Sequence, residues 1–198
     1  MMQIQHNLME AIAFQTAKEG KDYCGDSFFM TVKNDIFLCI LADGLGSGKA
    51  AFEASSSVVD FVKEHLELDV ETLIQECNKL LVNKRGAAVS IMKIDLRKRE
   101  FIYSCVGNIR FFLYTPSGKT MYPLPVTGYL SGRPQIYRTH RFSYETNSRF
   151  LLHSDGLKLS NSKTFIQSGR PLEAIANEIE RDHIRKTDDS TFILGSLL

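Results

Sequence analysis

An α+β layered fold is what this 198-residue chain predicts. Apolar segments of helical period fall into two blocks, a strand-rich middle separates them, and the regular strand-helix-strand alternation that builds parallel sheets is missing. The length allows one substantial core. No low-complexity linker or fixed-period repeat divides residues 1–198, so a single compact domain is expected.

In chain order, residues 10–17 and 27–32 read as short apolar-rich strands. Residues 36–42, IFLCILA, form a nearly continuous apolar run suited to a strand buried on both faces. Ser47 offers an N-cap to a helix in which Ala51, Ala54, Val58, Phe61, Val62 and His65 follow three-and-four spacing. A second helix starts from Asp69, carries Leu73, Cys77, Leu80 and Leu81 on one face and ends at Gly86. AAVSIMKID, FIYSCVGN, RFFLYTPSG and TMYPLP then suggest an antiparallel meander over 87–123, turning at KIDLRKREF and TPSGKT. Strands follow at 135–143 and 149–154. The polar stretch from Asn161 to Gly169 has no clear period and admits a helix in part. Pro171 opens a last helix marked by Leu172, Ile175, Ala176 and Ile179, and TFILGSLL closes the chain as a strand.

The charges nearly balance, 24 Lys plus Arg against 23 Asp plus Glu, so no global field favours a polyanion and no nucleic-acid partner is expected. MMQIQHNLME lacks the basic-then-apolar pattern of a leader, and no run of 18 apolar residues occurs. A cytosolic protein without a membrane partner is expected. The four cysteines show no CxxC spacing and read as small buried hydrophobes. Cys24, two residues before Asp26, is the thiol to test for reactivity.

FLCILADGLGSGKA, residues 37–50, resembles a nucleotide-binding loop at first sight. That loop needs Gly, four residues, Gly, Lys and then Ser or Thr, because the last hydroxyl holds magnesium. Here Asp43 occupies the first glycine position and Ala50 follows Lys49, so two fixed positions fail.

Asp43-Gly44 makes better sense as part of a metal site, with a bare turn as the alternative. A strand holds the carboxylate rigidly, while Gly44 lets the chain turn and leaves its carbonyl accessible beside it. The pattern recurs: Asp155-Gly156 ends another apolar run, Asp26 immediately precedes a strand, and Asp188 and Asp189 precede the last one. If these strand ends meet, their carboxylates repel in a poorly solvated site and divalent cations relieve them. Oxygen ligands without histidine or thiolate suit magnesium or manganese. Two such ions can activate water against a phosphoester.

The ordered set GDSFF, ADGLGSG, RGAAVSI, VGNIRF, LPVTGYLSG, HSDGL and KTDDSTFILG resembles the PPM-type (type-2C) metal-dependent serine/threonine protein phosphatases over nearly the entire chain. The resemblance implies a four-layer α-β-β-α sandwich with two central, mainly antiparallel sheets. It also implies two Mn2+ or Mg2+ ions held by Asp26, Asp43, the Gly44 carbonyl, Asp155 and Asp188, with Asp43 bridging and Asp189 orienting. The family's phosphate-gripping arginine is absent; Lys21 lies at the corresponding place as a candidate phosphate-binding group, though a solvated surface charge is the favoured reading. Asn108 replaces the acid of the family's Gly-Asp-Ser-Arg turn, which argues against a further metal there. The short chain leaves little room for the flap elements of longer relatives, so an open substrate groove is expected.

The implied partners are phosphorylated scaffold or antagonist proteins of a stressosome, dephosphorylated by a monomeric enzyme as negative feedback on a stress sigma-factor pathway. A small-molecule phosphohydrolase and a noncatalytic, metal-stabilised phosphoprotein-binding module are the alternatives.

Overall fold

The computed structural model describes residues 1–159 and 162–198. From the N-terminus, β1 (Met2–His6) and β2 (Met9–Thr16) form a hairpin. A second hairpin, β3 (Asp26–Lys33) with β4 (Ile36–Gly44), starts the other sheet. Two helices follow, α1 (Lys49–Glu64) and α2 (Val70–Leu80). Strands β5 (Ala87–Asp95), β6 (Glu100–Val106), β7 (Arg110–Tyr114), β8 (Thr120–Met121), β9 (Thr139–Ser143) and β10 (Arg149–His153) make up the middle. The chain ends with α3 (Ser162–Ile166), α4 (Leu172–Asp182) and β11 (Ser190–Leu197).

One sheet has the order β1-β2-β11-β10-β7-β8 and the other β3-β4-β5-β6-β9, and their strand pairings are antiparallel. The expected α+β sandwich is what forms.

Side-chain alternation builds three apolar layers from the same strands. In β4, Phe37, Cys39 and Leu41 point between the sheets, where they join Phe101, Phe111 and Phe150. Leu38, Ile40 and Ala42 point the other way, onto Ala54, Val58 and Val62 of α1 and Leu73 and Cys77 of α2. On the far side Leu151, Phe192 and Leu194 meet Ile175, Ala176 and Ile179 of α4. Phe28, Phe37, Phe101, Phe111, Phe142 and Phe150 all belong to the inter-sheet layer, where rings without a polar atom suit a space that offers little to hydrogen-bond. Phe101 sits 5.6 Å from Phe111 and 6.2 Å from Phe150, centroid to centroid.

Several expectations need correction. β1 was not anticipated, because MQIQH is a largely exposed edge strand with almost no apolar alternation. Ser47 does not cap α1; Gly48, with φ of 76°, takes the N-cap position and no side chain caps the helix. Asp69 does cap α2, accepting the Thr72 N–H at 2.8 Å. That helix ends at Leu80, well before Gly86, and left-handed Asn83 (φ 61°) lies in the exit turn. Residues 87–123 are not one meander. β5 and β6 belong to one sheet, β7 and β8 to the other, and the chain crosses between them at Gly107–Ile109. Asn161, at the start of the polar stretch, lies outside the described residues.

Candidate metal centre

The alternation that builds the inter-sheet core also delivers its acids. Asp43 continues the inward series Phe37, Cys39, Leu41, and Asp26 precedes the inward series of Phe28, Met30 and Val32. The β3–β4 register sets Asp26 directly opposite Asp43. Like charges facing each other across a strand pair repel, so this pairing is unfavourable unless something compensates it.

Asp26 is only 2% exposed. Its Oδ2 accepts a hydrogen bond from Ser154 Oγ at 2.7 Å, and that Oγ accepts one from the Thr191 N–H at 3.0 Å. Its Oδ1 has no hydrogen-bond partner. Burial pushes the Asp26 carboxyl up to about 6, with the Ser154 hydroxyl pulling the other way. Asp43 goes further, to about 8, through burial first and then the charges of Asp26, Asp155, Asp188 and Asp189. These acids, drawn from three separate parts of the chain, therefore lie within electrostatic reach of one another.

Asp155 and Asp188 are exposed, at the outer lip of the same end. Burial and then Asp188 raise the Asp155 carboxyl, while Arg185 and Asn108 pull it down. Asn108 Nδ2 donates to Asp155 Oδ2 at 2.8 Å, so the amide in place of the family's acid holds a carboxylate rather than adding one. Among the described residues no three Asp, Glu, His or Cys side chains close into a metal cage. The donor chemistry nevertheless fits hard divalent cations: it is all oxygen, it carries unfavourable charge, and it contains an unpartnered buried carboxylate oxygen.

Asp189 does something else. Its Oδ1 accepts the Lys18 N–H and its Oδ2 the Gly25 N–H, each at 2.8 Å. The 7%-exposed carboxylate thus clasps both ends of the segment that leads into Asp26. This agrees with the orienting role expected for it. Asp189→Ala leaves two backbone donors without an acceptor and should destabilise the protein by about 2–4 kcal/mol. Turnover should fall as the Asp26 segment loosens. Thermal melting and limited proteolysis of residues 17–25 check this, and Asp189→Asn, which keeps one acceptor, should fall between.

Gly44 is needed for a reason other than the expected sharp turn. It ends β4 in register with Ala87, and a Cβ placed on it would lie 2.1 Å from the Ala51 carbonyl oxygen of α1. Gly156 is alike, its virtual Cβ 2.1 Å from the Asp189 carbonyl oxygen. Glycine after each aspartate thus allows close packing of backbone on backbone. Gly44→Ala should cost about 3 kcal/mol or yield insoluble protein, read from melting temperature and soluble expression.

Ser154 and Gln15 were not anticipated. Gln15 Nε2 donates to the Asp26 carbonyl at 2.9 Å. The signal for Ser154 was present: it follows Phe150 and Leu152 in phase, so a polar residue was due to face inward beside the acids. Lys21 is exposed, and among the described residues its side chain makes no hydrogen bond or ion pair. The Cys24 thiol is held protonated by burial, with Asp26 and Asp189 adding to the effect, so it is not a poised nucleophile. His153 is buried, its Nδ1 2.7 Å from the Ser154 carbonyl, and burial pushes it down to about 4. It is a neutral packing residue.

Comparison with known proteins agrees with this architecture. The Stage II sporulation protein E (SpoIIE) family model matches residues 34–194, a range that contains Asp43, Asp155 and Asp188. Phosphoserine phosphatase RsbX of Bacillus subtilis (strain 168) is 44% identical over 198 residues, 100% of each chain. The crystal structure of RsbX in complex with magnesium superposes with a TM-score of 0.95 at 43% identity, covering 100% of this chain and 99% of that one. The PP2C phosphatase domain of SpoIIE from Bacillus subtilis shares the fold at 18% identity, with a TM-score of 0.81 over 96% of this chain and 63% of that one.

Proposed function

The chain belongs to the SpoIIE family of PP2C-type phosphatases, and from that premise we propose that it hydrolyses phosphoserine and phosphothreonine esters on stressosome scaffold or antagonist proteins. Removal of those phosphates closes a negative feedback loop on a stress sigma-factor pathway. The same reading makes the protein a cytoplasmic monomer; among the described residues no helix is long and apolar enough to cross a membrane.

The observation that carries the proposal is the face-to-face pairing of Asp26 and Asp43 at the acidic end, where burial and the neighbouring carboxylates push Asp43 up to about 8. Asp26, Asp43, Asp155, Asp188 and the Gly44 carbonyl would hold two magnesium or manganese ions, with Asp43 shared. When bound, such ions acidify water and offset charge on a phosphoryl group.

The chain's own residues set the stage. Ser154 occupies Asp26 Oδ2 and leaves Oδ1 for a cation. Asn108 fixes Asp155, and Asp189 fixes the approach to Asp26. Water attacks phosphorus directly: one P–O bond forms, the ester P–O bond breaks, and the serine oxygen leaves with a proton drawn from solvent. Neither Cys24 nor His153 takes part, since one stays a thiol and the other a buried neutral ring. Lys21 remains a candidate grip on the phosphate, through a flexible single charge.

The decisive assay compares phosphate release from phosphorylated stressosome proteins and from common phosphometabolites, with manganese, magnesium or chelator. Phosphoproteins should be turned over only with metal, and faster than the metabolites. Preference for a metabolite would make the protein a small-molecule phosphohydrolase. Binding without turnover would make it a noncatalytic module.

A further inference from the structure

Beside the acidic end lies a pocket of about 340 Å³ whose charge is opposite in sign. Arg110, Lys158 and Arg185 line it, together with Phe112, Leu157, Leu159, His153 and a single carboxylate, Asp155. All three cations are exposed, and among the described residues none has a side-chain hydrogen bond or ion pair. Three cations share the concavity with one carboxylate, Asp155, which Arg185 already attracts, so positive charge remains in excess and favours a further anion.

The backbone builds this cluster. Leu157 and Ile184 form an antiparallel bridge, with the Lys158 N–H bonded to the His183 carbonyl and the Arg185 N–H to the Gly156 carbonyl, both at 3.0 Å. Leu157 and Ile184 turn inward onto the α4 layer. Strand alternation therefore turns Lys158 and Arg185 outward on the same side, as diagonal neighbours. Arg110 enters from β7, directly opposite His153 in the sheet register. His153, stacked on Phe112, gives that wall an aromatic surface.

Position argues for what the pocket receives. Asp26 and Asp43 face the space between the sheets, whereas His153 and Phe112 face outward, and Asp155 stands at the boundary. A phosphoryl group must lie on the inner, acidic side to meet the cations held there. The outer pocket is then within reach of a neighbouring residue of the same substrate segment, since an extended chain advances about 3.3 Å per residue. Resting on the phosphatase reading, we propose that Arg110, Lys158 and Arg185 form a receptor for a carboxylate side chain flanking the phosphorylated residue of the substrate protein. The pocket selects acidic phosphosites and leaves the chemical step alone.

Phosphoserine peptides with glutamate on either side of the phosphoserine are compared with their glutamine counterparts, using full-length protein. The wild type should favour the acidic peptide about tenfold in kcat/KM, chiefly through KM, with the advantage shrinking as salt rises. In the Arg110→Ala/Lys158→Ala double variant the advantage should drop to about twofold or less, and Lys158→Glu should reverse it. Turnover of p-nitrophenyl phosphate, which has no flanking residue, should stay within about twofold of wild type, as expected where only docking is lost. Equal loss on p-nitrophenyl phosphate would mean that these cations grip the phosphoryl group itself, and would overturn the proposal. Absence of any wild-type preference would overturn it too. Should the wild type turn over nothing with either metal, the phosphatase reading fails separately, and binding of the labelled acidic and glutamine peptides, read by fluorescence anisotropy, still decides the pocket.

Discussion

Asp43→Asn should lower kcat by about a thousandfold or more, while its metal-free form melts above the metal-free wild type at pH 8. The two effects share one cause. Asp43 faces Asp26 across the strand pair and feels the charges of Asp26, Asp155, Asp188 and Asp189, so ionising it in the folded state is unfavourable without cations. Asparagine has nearly the same shape and no charge. It removes the repulsion and, in the same stroke, the bridging ligand. Magnesium should therefore raise the melting temperature of the wild type and hardly change that of the variant. Circular dichroism establishes that the fold is kept, and scanning fluorimetry with and without magnesium gives the rest. Ordinary turnover by a folded Asp43→Asn protein would reject the bridging role.

The second large effect is an inverted response to pH in the metal-free protein. Asp43 is raised in the fold from the ordinary carboxylate range to about 8, and Asp26 to about 6. The folded state thus binds more protons than the unfolded chain over this interval, and stability falls as pH rises through it. His153 acts in the other direction. Its folded value is depressed to about 4, so it adds stability as pH rises from about 4 toward its ordinary value near 6.5. The two influences oppose each other below pH 6.5; above it the carboxylates dominate, joined toward pH 8.5 by the four thiols that burial holds protonated in the fold. Between pH 6.5 and 8.5 the metal-free protein should lose about 1 to 2 kcal/mol, a drop of roughly 2–6 °C in melting temperature. Saturating magnesium should abolish that slope, because bound cations replace the protons. A flat metal-free profile in this range would show that the acids are not crowded in solution.

Much of the fold was legible because its signals are local. IFLCILA reads as a buried strand and Leu172, Ile175, Ala176 and Ile179 as a helix face from spacing alone, and β4 and α4 bear them out. The misread boundaries are places where packing overrides local preference. Gly48 takes the cap position with a positive φ, although Ser47 stands beside it with a suitable hydroxyl. The edge strand β1 has too little apolar pattern to announce itself. The split of residues 87–123 between two sheets depends on which partner each strand finds, and each piece has the same alternation whichever sheet it joins.

For the site, sequence by itself determined which groups are available: acids at the ends of strands, an oxygen-only donor set, and a glycine after Asp43 and after Asp155. These are matters of residue type and short-range period, which survive without knowledge of neighbours. Only the tertiary structure decided how those groups divide. It set Asp26 and Asp43 inward and face to face, left Asp155 and Asp188 on the lip, turned Asp189 into a clasp on two backbone N–H groups, and gathered Arg110, Lys158 and Arg185 into one pocket. The physical reason is that charge repulsion, burial and hydrogen-bond partnership are properties of pairs. The pairs that matter here join residues as far apart in the chain as Asp26 and Ser154, which lie on different sheets, and only the packing of one sheet on the other brings them together.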